Sequence, residues 1–413
     1  MKRLINLFLA ITAIFPALLF AQDKRFVPLT RYPKGDTILE KRFDRDQQWD
    51  LYDAIGSLFS KTPIVPKKDS VTKKPIISIV PAFGYTLQSK FAVTLAGNIV
   101  FRSTPDSKIS TIVINAAYTQ TKQIIIPILS NIWTNGNRYK FVGDYRYLKY
   151  PQSTYGLGSN SDILNKDHMD YSLLRFDETI FRHIGGNFYA GGGYAMDYHF
   201  DIEEKGLKTG AASDYEKYGG ASTTVSSGIT LNGLFDSRDN SINSSKGLFG
   251  AVQYRDNSLF LGSTSRWQSL VIDLRKYCRF PAASTNVIAF WSYNWLVIDG
   301  KPPYLDLPSN GWDPFSGTGR GYIQGRFRGT QMVYLESEYR FRLTRNGLLG
   351  GVVFVNAQSF SAQQGTNQQT IQPAFGPGIR LKLNKVTKTN IAIDYGIGRQ
   401  GSRGVFINVG EVF

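Results

Sequence analysis

The sequence predicts an all-β chain: a 16-stranded antiparallel transmembrane β-barrel, with a long sixth external loop folded into the lumen and a short N-terminal helix. Three observations carry this. From Lys74 onward the chain divides into segments of about 9 to 15 residues in which apolar and small or polar residues alternate, as in strands with one lipid face and one lumen face. Alternate connections fall into a short class and a long class, as periplasmic turns and external loops do. An apolar leader at the start, and an alternating segment closing on Phe413, fit an exported outer-membrane chain.

In chain order, Met1-Lys2-Arg3 is a charged n-region, Leu4 to Phe20 is almost wholly apolar, and Ala21 precedes Gln22 as a small residue at a cleavage point. Residues 1–21 therefore read as a secretory signal peptide. An uncleaved anchor helix is the alternative, because the apolar run is long and Leu19 is not small; Pro16 favours processing. No cysteine follows the cleavage point to carry a lipoprotein anchor. Residues 22–73 form a short periplasmic or plug segment. Within it Leu51, Tyr52, Ile55, Leu58 and Phe59 recur at helical spacing, predicting an amphipathic helix from about Asp46 to Ser60. The stretch from Lys61 to Lys74, rich in Pro, Lys, Ser and Thr, reads as a linker.

Residues 74–413 are the barrel. The predicted strands are 75–87, 90–102, 109–119, 122–134, 138–149, 169–182, 186–201, 221–235, 247–257, 265–279, 285–298, 329–343, 346–359, 371–383, 388–398 and 403–413. In Phe91 to Phe101 the odd positions are apolar and the even ones small or polar; in Asn390 to Gly398 the isoleucines and Tyr395 oppose Ala392, Asp394, Gly396 and Gly398. The last segment sets Val405, Ile407, Val409 and Phe413 on one face, with Glu411 tolerable there only near water. Long connections near 150–168, 202–220 and 299–328 would be external, leaving both chain ends in the periplasm.

Bulk composition agrees. Beyond the leader no apolar run is long enough for a transmembrane helix, and the mean hydropathy is -0.22. Yet 14% of residues are aromatic and 40 are glycine, which suits interface girdles and tight turns. With Cys278 alone no internal disulfide is available, so stability must come from a closed sheet. The formal charge is +16, two lower without Lys2 and Arg3. It forms no compact stripe, which disfavours nucleic acid as a partner and leaves rim, lumen and lipid head groups.

Enzymatic and metal chemistry are poorly supported. His168, His183 and His199 fall on different elements, with no Ser-His-acid arrangement or metal spacing, so neither cofactor nor metal is expected. The run from His199 to Glu204 would suit a divalent ion less well than it suits a solvated acidic patch. Cys278 shares parity with Leu270, Ile272 and Leu274, an inert lipid-facing position. The glycine-rich stretch Ser316 to Arg326 lacks the G-x-G-x-x-G spacing and the βαβ context of a phosphate loop. Reach explains it better: half of a loop of about 30 residues extends on the order of 50 Å, twice the roughly 25 Å apolar band, so its tip can enter the barrel.

Here the sequence resembles the BamA/TamA and two-partner-secretion translocator superfamily, the bacterial surface antigens. Gly319-Arg320-Gly321-Tyr322 is similar to that family's Arg-Gly-Phe/Tyr tip on the sixth external loop. Asp236-Ser237-Arg238-Asp239-Asn240 with Lys246-Gly247, the segment starting Gly351-Val352-Val353-Phe354, and the terminal Asn408-Val409-Gly410 with Phe413 also match, in order. The resemblance implies an outer-membrane location in a Gram-negative bacterium, contact with lipid and lipopolysaccharide, a polypeptide substrate and a periplasmic or membrane partner. It also implies a lumen partner for Arg320, which the family supplies as an aspartate in G-x-x-F-x-D-x-G. This chain has Asn356 there, two residues after Phe354, so Glu336 or Glu338 is expected to supply the charge. POTRA modules are the second departure, since residues 22–73 are too few for one. Insertion or translocation of polypeptide is the implied role; a diffusion porin or a structural surface barrel are the alternatives.

Overall fold

Alternation along the chain becomes a single antiparallel sheet. The computed structural model describes residues 48–59, 74–86, 88–363 and 370–413. The predicted leader, residues 22–47 and most of the linker lie outside the described residues. The strands are β1 (Ile76–Thr86), β2 (Lys90–Phe101), β3 (Ser110–Thr119), β4 (Ile124–Trp133), β5 (Tyr139–Lys149), β6 (Gln152–Thr154), β7 (Asp167–Gly185), β8 (Phe188–Glu204) and β9 (Thr224–Asp236). They continue as β10 (Gly247–Asn257), β11 (Trp267–Arg279), β12 (Val287–Gly300), β13 (Gln331–Arg342), β14 (Leu349–Ser361), β15 (Gln372–Asn384), β16 (Thr389–Gly398) and β17 (Arg403–Val409). Sixteen of these are long and coincide with the predicted segments to within a few residues. The seventeenth, β6, is a three-residue strand inside the predicted 150–168 loop, paired to β7 through Gln152↔Met169.

Each long strand pairs with its sequence neighbours, from Ile76↔Val100 in the first ladder to Ile391↔Val409 in the last. β17 comes alongside β1. A strand needs about 9–11 residues to span the hydrocarbon core, so β7 and β8, with 19 and 17 residues, carry their outer ends well past it. The two faces separate as alternation demands. On β14, Val353 and Val355 are exposed on the lipid side while Val352, Phe354, Asn356 and Gln358 are buried inside.

Before β1 comes α1 (Leu51–Phe59), within the predicted helical stretch. Asp50 caps it: its carboxylate accepts from the Asp53 N–H at 3.0 Å, satisfying a donor that the first helical turn leaves free. The helix is fastened to the turns that follow β13 and β15. Lys385 donates through Nζ to Asp53 (2.6 Å) and through its N–H to Asp50 (3.1 Å), and the Trp49 N–H donates to the Asn346 carbonyl (3.0 Å).

The C-terminal end corrects the expectation most clearly. β17 stops at Val409, not Phe413, because Gly410 takes φ 109°, a conformation that side-chain-bearing residues avoid, and the chain leaves the sheet there. Glu411, Val412 and Phe413 then turn toward the lumen rather than along the lipid face: Val412 and Phe413 are buried, and the Glu411 side chain is enclosed in its ion pair with Arg380. Phe413 stacks on Trp291 with ring centroids 5.1 Å apart, and its carbonyl accepts from Arg340 at 2.8 Å.

Candidate functional site: the arginine-tipped loop in the lumen

The connection from β12 to β13 is the longest among the described residues, and its sequence explains why it folds inward. Gly321, at φ 105°, makes the sharp tip on which Arg320 is presented. Tyr322 anchors the tip: its hydroxyl donates to the Pro373 carbonyl (2.6 Å) and accepts from the Arg399 N–H (3.1 Å), and its ring meets Phe327 edge-on at 5.2 Å. Asp313 braces the approach by accepting from the N–H groups of Gly317 and Thr318, at 3.0 and 2.8 Å.

Arg320, 2% exposed, meets three carboxylates. Its Nη1 donates to Asp394 (2.6 Å), and its Nη2 to Glu338 (2.7 Å) and to Glu336. The ring of Phe354 lies 3.9 Å beneath the guanidinium. Both glutamates come from β13, where alternation places them on the lumen face together with Arg340. Around this centre the charges interleave. Arg380 pairs with Asp394 (2.6 Å) and Glu411 (2.7 Å), Arg340 pairs with Glu338 (2.6 Å), and Tyr334 donates to Glu336. Buried charges this dense persist only when each finds an opposite partner and hydrogen bonds. The result is a latch joining the loop tip, β13, β15, β16 and the C-terminal residues.

Asn356 does not stand in for the family's aspartate. Its Nδ2 donates to the main-chain carbonyl of Arg320 (2.9 Å) and leaves the guanidinium to the acids. Asn356→Asp should therefore destabilise the barrel, since it removes this donor and sets a further carboxylate beside a filled arginine. A loss of about 1–3 kcal/mol is expected, read as a lower unfolding midpoint in detergent micelles; an unchanged or raised midpoint would contradict this geometry.

Sequence reasoning did not connect Asp394, Arg380 or Glu411 to Arg320. Asp394 had a signal, since it shares parity with Gly396 and Gly398 on a strand whose other face is apolar. Two further loop arginines were passed over. Arg326 donates to Ser161 Oγ (2.9 Å) and carbonyl (2.7 Å) and to Gln400 (2.8 Å), and Arg328 donates to the carbonyls of Tyr304 and Leu305, both at 2.9 Å. These contacts tie the long loops to one another. Gly158 N–H donates to the Arg328 carbonyl (2.7 Å), Thr154 bonds the Tyr304 hydroxyl (2.6 Å), and Leu157 N–H donates to Asp214 (2.8 Å) at the start of α2 (Asp214–Tyr218). Burial beside Asp197 raises the carboxyl of Asp306, in the same loop, to about 7.

The other motif residues have structural roles. Arg238 grips Asp236 with two bonds (2.9 and 3.0 Å), and Asp239 accepts from Ser245 and Lys246, which closes the turn between β9 and β10. Asn408 and Val409 pair with Ala392 and Ile391. The three histidines stay apart: His168 bonds Ser153 (3.0 Å), His183 the Gly186 carbonyl (2.9 Å), and buried His199 lies 3.5 Å from Asp306. Among the described residues no three His, Cys, Asp or Glu side chains converge to hold a metal. Cys278 is half-buried.

These elements define an antiparallel β-barrel fold whose lumen is occupied by the loop between β12 and β13. Among solved structures the chain is similar to BamA from Haemophilus ducreyi lacking POTRA domains 1-3, with a TM-score of 0.52 and 12% identity over 82% of this chain and 69% of that one. It is likewise similar to CdiB from Acinetobacter baumannii, with a TM-score of 0.51 and 12% identity over 82% of this chain and 60% of that one. The chain thus spans less than two thirds of the CdiB chain. No protein-family model and no curated protein matches the sequence, so the likeness is one of fold.

Proposed function

We propose that this chain is an outer-membrane barrel of a Gram-negative bacterium, of the BamA/TamA and translocator type, that assists the insertion of other barrels or the passage of polypeptide. The observation that carries the reading is the Gly319 to Tyr322 tip, held on the inner wall through Arg320 within a barrel of this fold. A periplasmic or membrane partner would deliver the polypeptide, and lipid and lipopolysaccharide would surround the apolar belt.

The filled lumen favours insertion over passage, because a route through the barrel requires the Arg320 latch to separate. It also disfavours an open diffusion pore, since the loop between β12 and β13 occupies the lumen. The test is reconstitution into liposomes with an unfolded client barrel. Client folding well above that in empty liposomes, abolished by a cysteine crosslink between β1 near Ser78 and β17 near Val409, supports insertion at the seam. Steady large conductance without client folding supports the porin reading and sinks this one. Client folding that survives the crosslink removes the seam but not the role.

A further inference from the structure

At the periplasmic end of the lumen two lysines lack an acid of their own. Lys140 opens β5 opposite Trp133 and is 6% exposed. Its Nζ lies 5.1 Å from the Trp133 ring centroid, and that of Lys108, from the turn before β3, lies 4.8 Å from the same ring and 5.6 Å from that of Tyr189. The nearby carboxylates are taken. Asp236 is held by both arms of Arg238, and Asp273 by Arg275 at 2.9 and 2.7 Å. Lys108 donates to the Asp236 main-chain carbonyl (2.8 Å), and Lys140 makes no hydrogen bond or ion pair among the described residues.

Two ammonium groups set against one indole ring repel each other, and a cation buried without an anion, as Lys140 is, is costly. The aromatic face offsets only part of that cost. Burial also pulls Lys108 below the usual lysine range, against the opposing pull of Asp236. With both lysines protonated, four cations (Lys108, Lys140, Arg238 and Arg275) meet two carboxylates (Asp236 and Asp273), an excess that a dianion would offset.

We propose that Lys108 and Lys140, backed by Trp133, form a binding site for a phosphate group at the periplasmic mouth of the lumen. The inference goes beyond the proposed function and does not depend on it. Each ammonium supplies charge-assisted donors, the packed rings of Trp133 and Tyr189 lie against the ammonium groups, and the neutralised Asp236–Arg238 pair limits repulsion of the anion. Free phosphate and the phosphate of a lipid head group share this chemistry.

The test is equilibrium dialysis of the full-length barrel in detergent, at constant ionic strength in chloride, against radiolabelled inorganic phosphate and, separately, glycerol 3-phosphate. Saturable binding is expected, weakened at least about tenfold by Lys140→Gln and by Lys108→Gln and unchanged by Lys246→Gln, which alters an exposed lysine in a neighbouring turn. Binding of both ligands identifies a head-group phosphate as a fitting source; binding of inorganic phosphate alone identifies the free ion. No saturable binding, or equal binding by both folded variants, overturns the site. Should Lys140→Gln fail to fold, Lys108→Gln decides.

Discussion

Arg320→Ala is expected to cost about 3–5 kcal/mol of stability, because it leaves buried carboxylates without the cation that joins them. Glu336, Glu338 and Asp394 all touch this guanidinium and are each nearly inaccessible to solvent. Arg340 and Arg380 remain for Glu338, Asp394 and Glu411, so the wild-type cluster of three arginines and four acids would fall to two arginines against the same four acids. The loop tip would then lose its principal electrostatic tie, although Tyr322 would still hold at Pro373. Two readouts follow: a large drop in the unfolding midpoint, and new protease sensitivity between 301 and 330. Arg320→Lys should fall between wild type and alanine, since a single ammonium cannot reach three carboxylates in the geometry of a planar fork. An alanine variant with wild-type stability and a protected loop would show that the latch does not hold the loop.

The second large effect is steric. A Cβ on Gly396 would stand 2.5 Å from the Gly321 nitrogen and 2.7 Å from its Cα, closer than any real contact allows. The obstacle is main chain on both sides, the β16 wall and the loop tip, so no side chain can swing away. Gly396→Val should force the tip off the wall. Overpacking alone costs about 1–3 kcal/mol, and displacement of Arg320 from Asp394 adds to it. Ile397→Val, next along β16 but on the lipid face, should change stability by less than about 1.5 kcal/mol, within the cost of an Ile-to-Val change in a packed site. If Gly396→Val leaves the loop protected while Ile397→Val destabilises, the tip does not dock on β16 as described. The two loop variants also separate causes: Arg320→Ala removes charge without bulk, Gly396→Val adds bulk without touching charge, and both should release the same segment.

Much of this was legible without coordinates because alternation is a local property. Val353, Phe354, Val355 and Asn356 reveal their faces by parity alone, and Glu336 and Glu338 could be set on the lumen side of β13 for the same reason. Proximity in the chain, 16 and 18 residues from Arg320, also made those two glutamates easy to nominate. Asp394 is 74 residues away, and nothing in its own segment says which loop will face it. β6 was hidden because three residues are too few to express a period. At Gly410 the alternating pattern continues in the letters while the backbone abandons it, so extrapolating parity to Glu411 and Phe413 placed them on lipid.

The sequence by itself determined the sheet, the two faces of its strands, the inward reach of the loop after β12, and the need of Arg320 for acids. Only the tertiary structure decided which acids those are, that Asn356 serves the loop's main chain, and that Glu411 and Phe413 complete the lumen. The physical reason is that facing follows from a two-residue period within one strand. The partners of a buried charge are fixed instead by the curvature of the whole sheet and the path of a loop across it, which bring β13, β15, β16 and the C-terminal residues to one point.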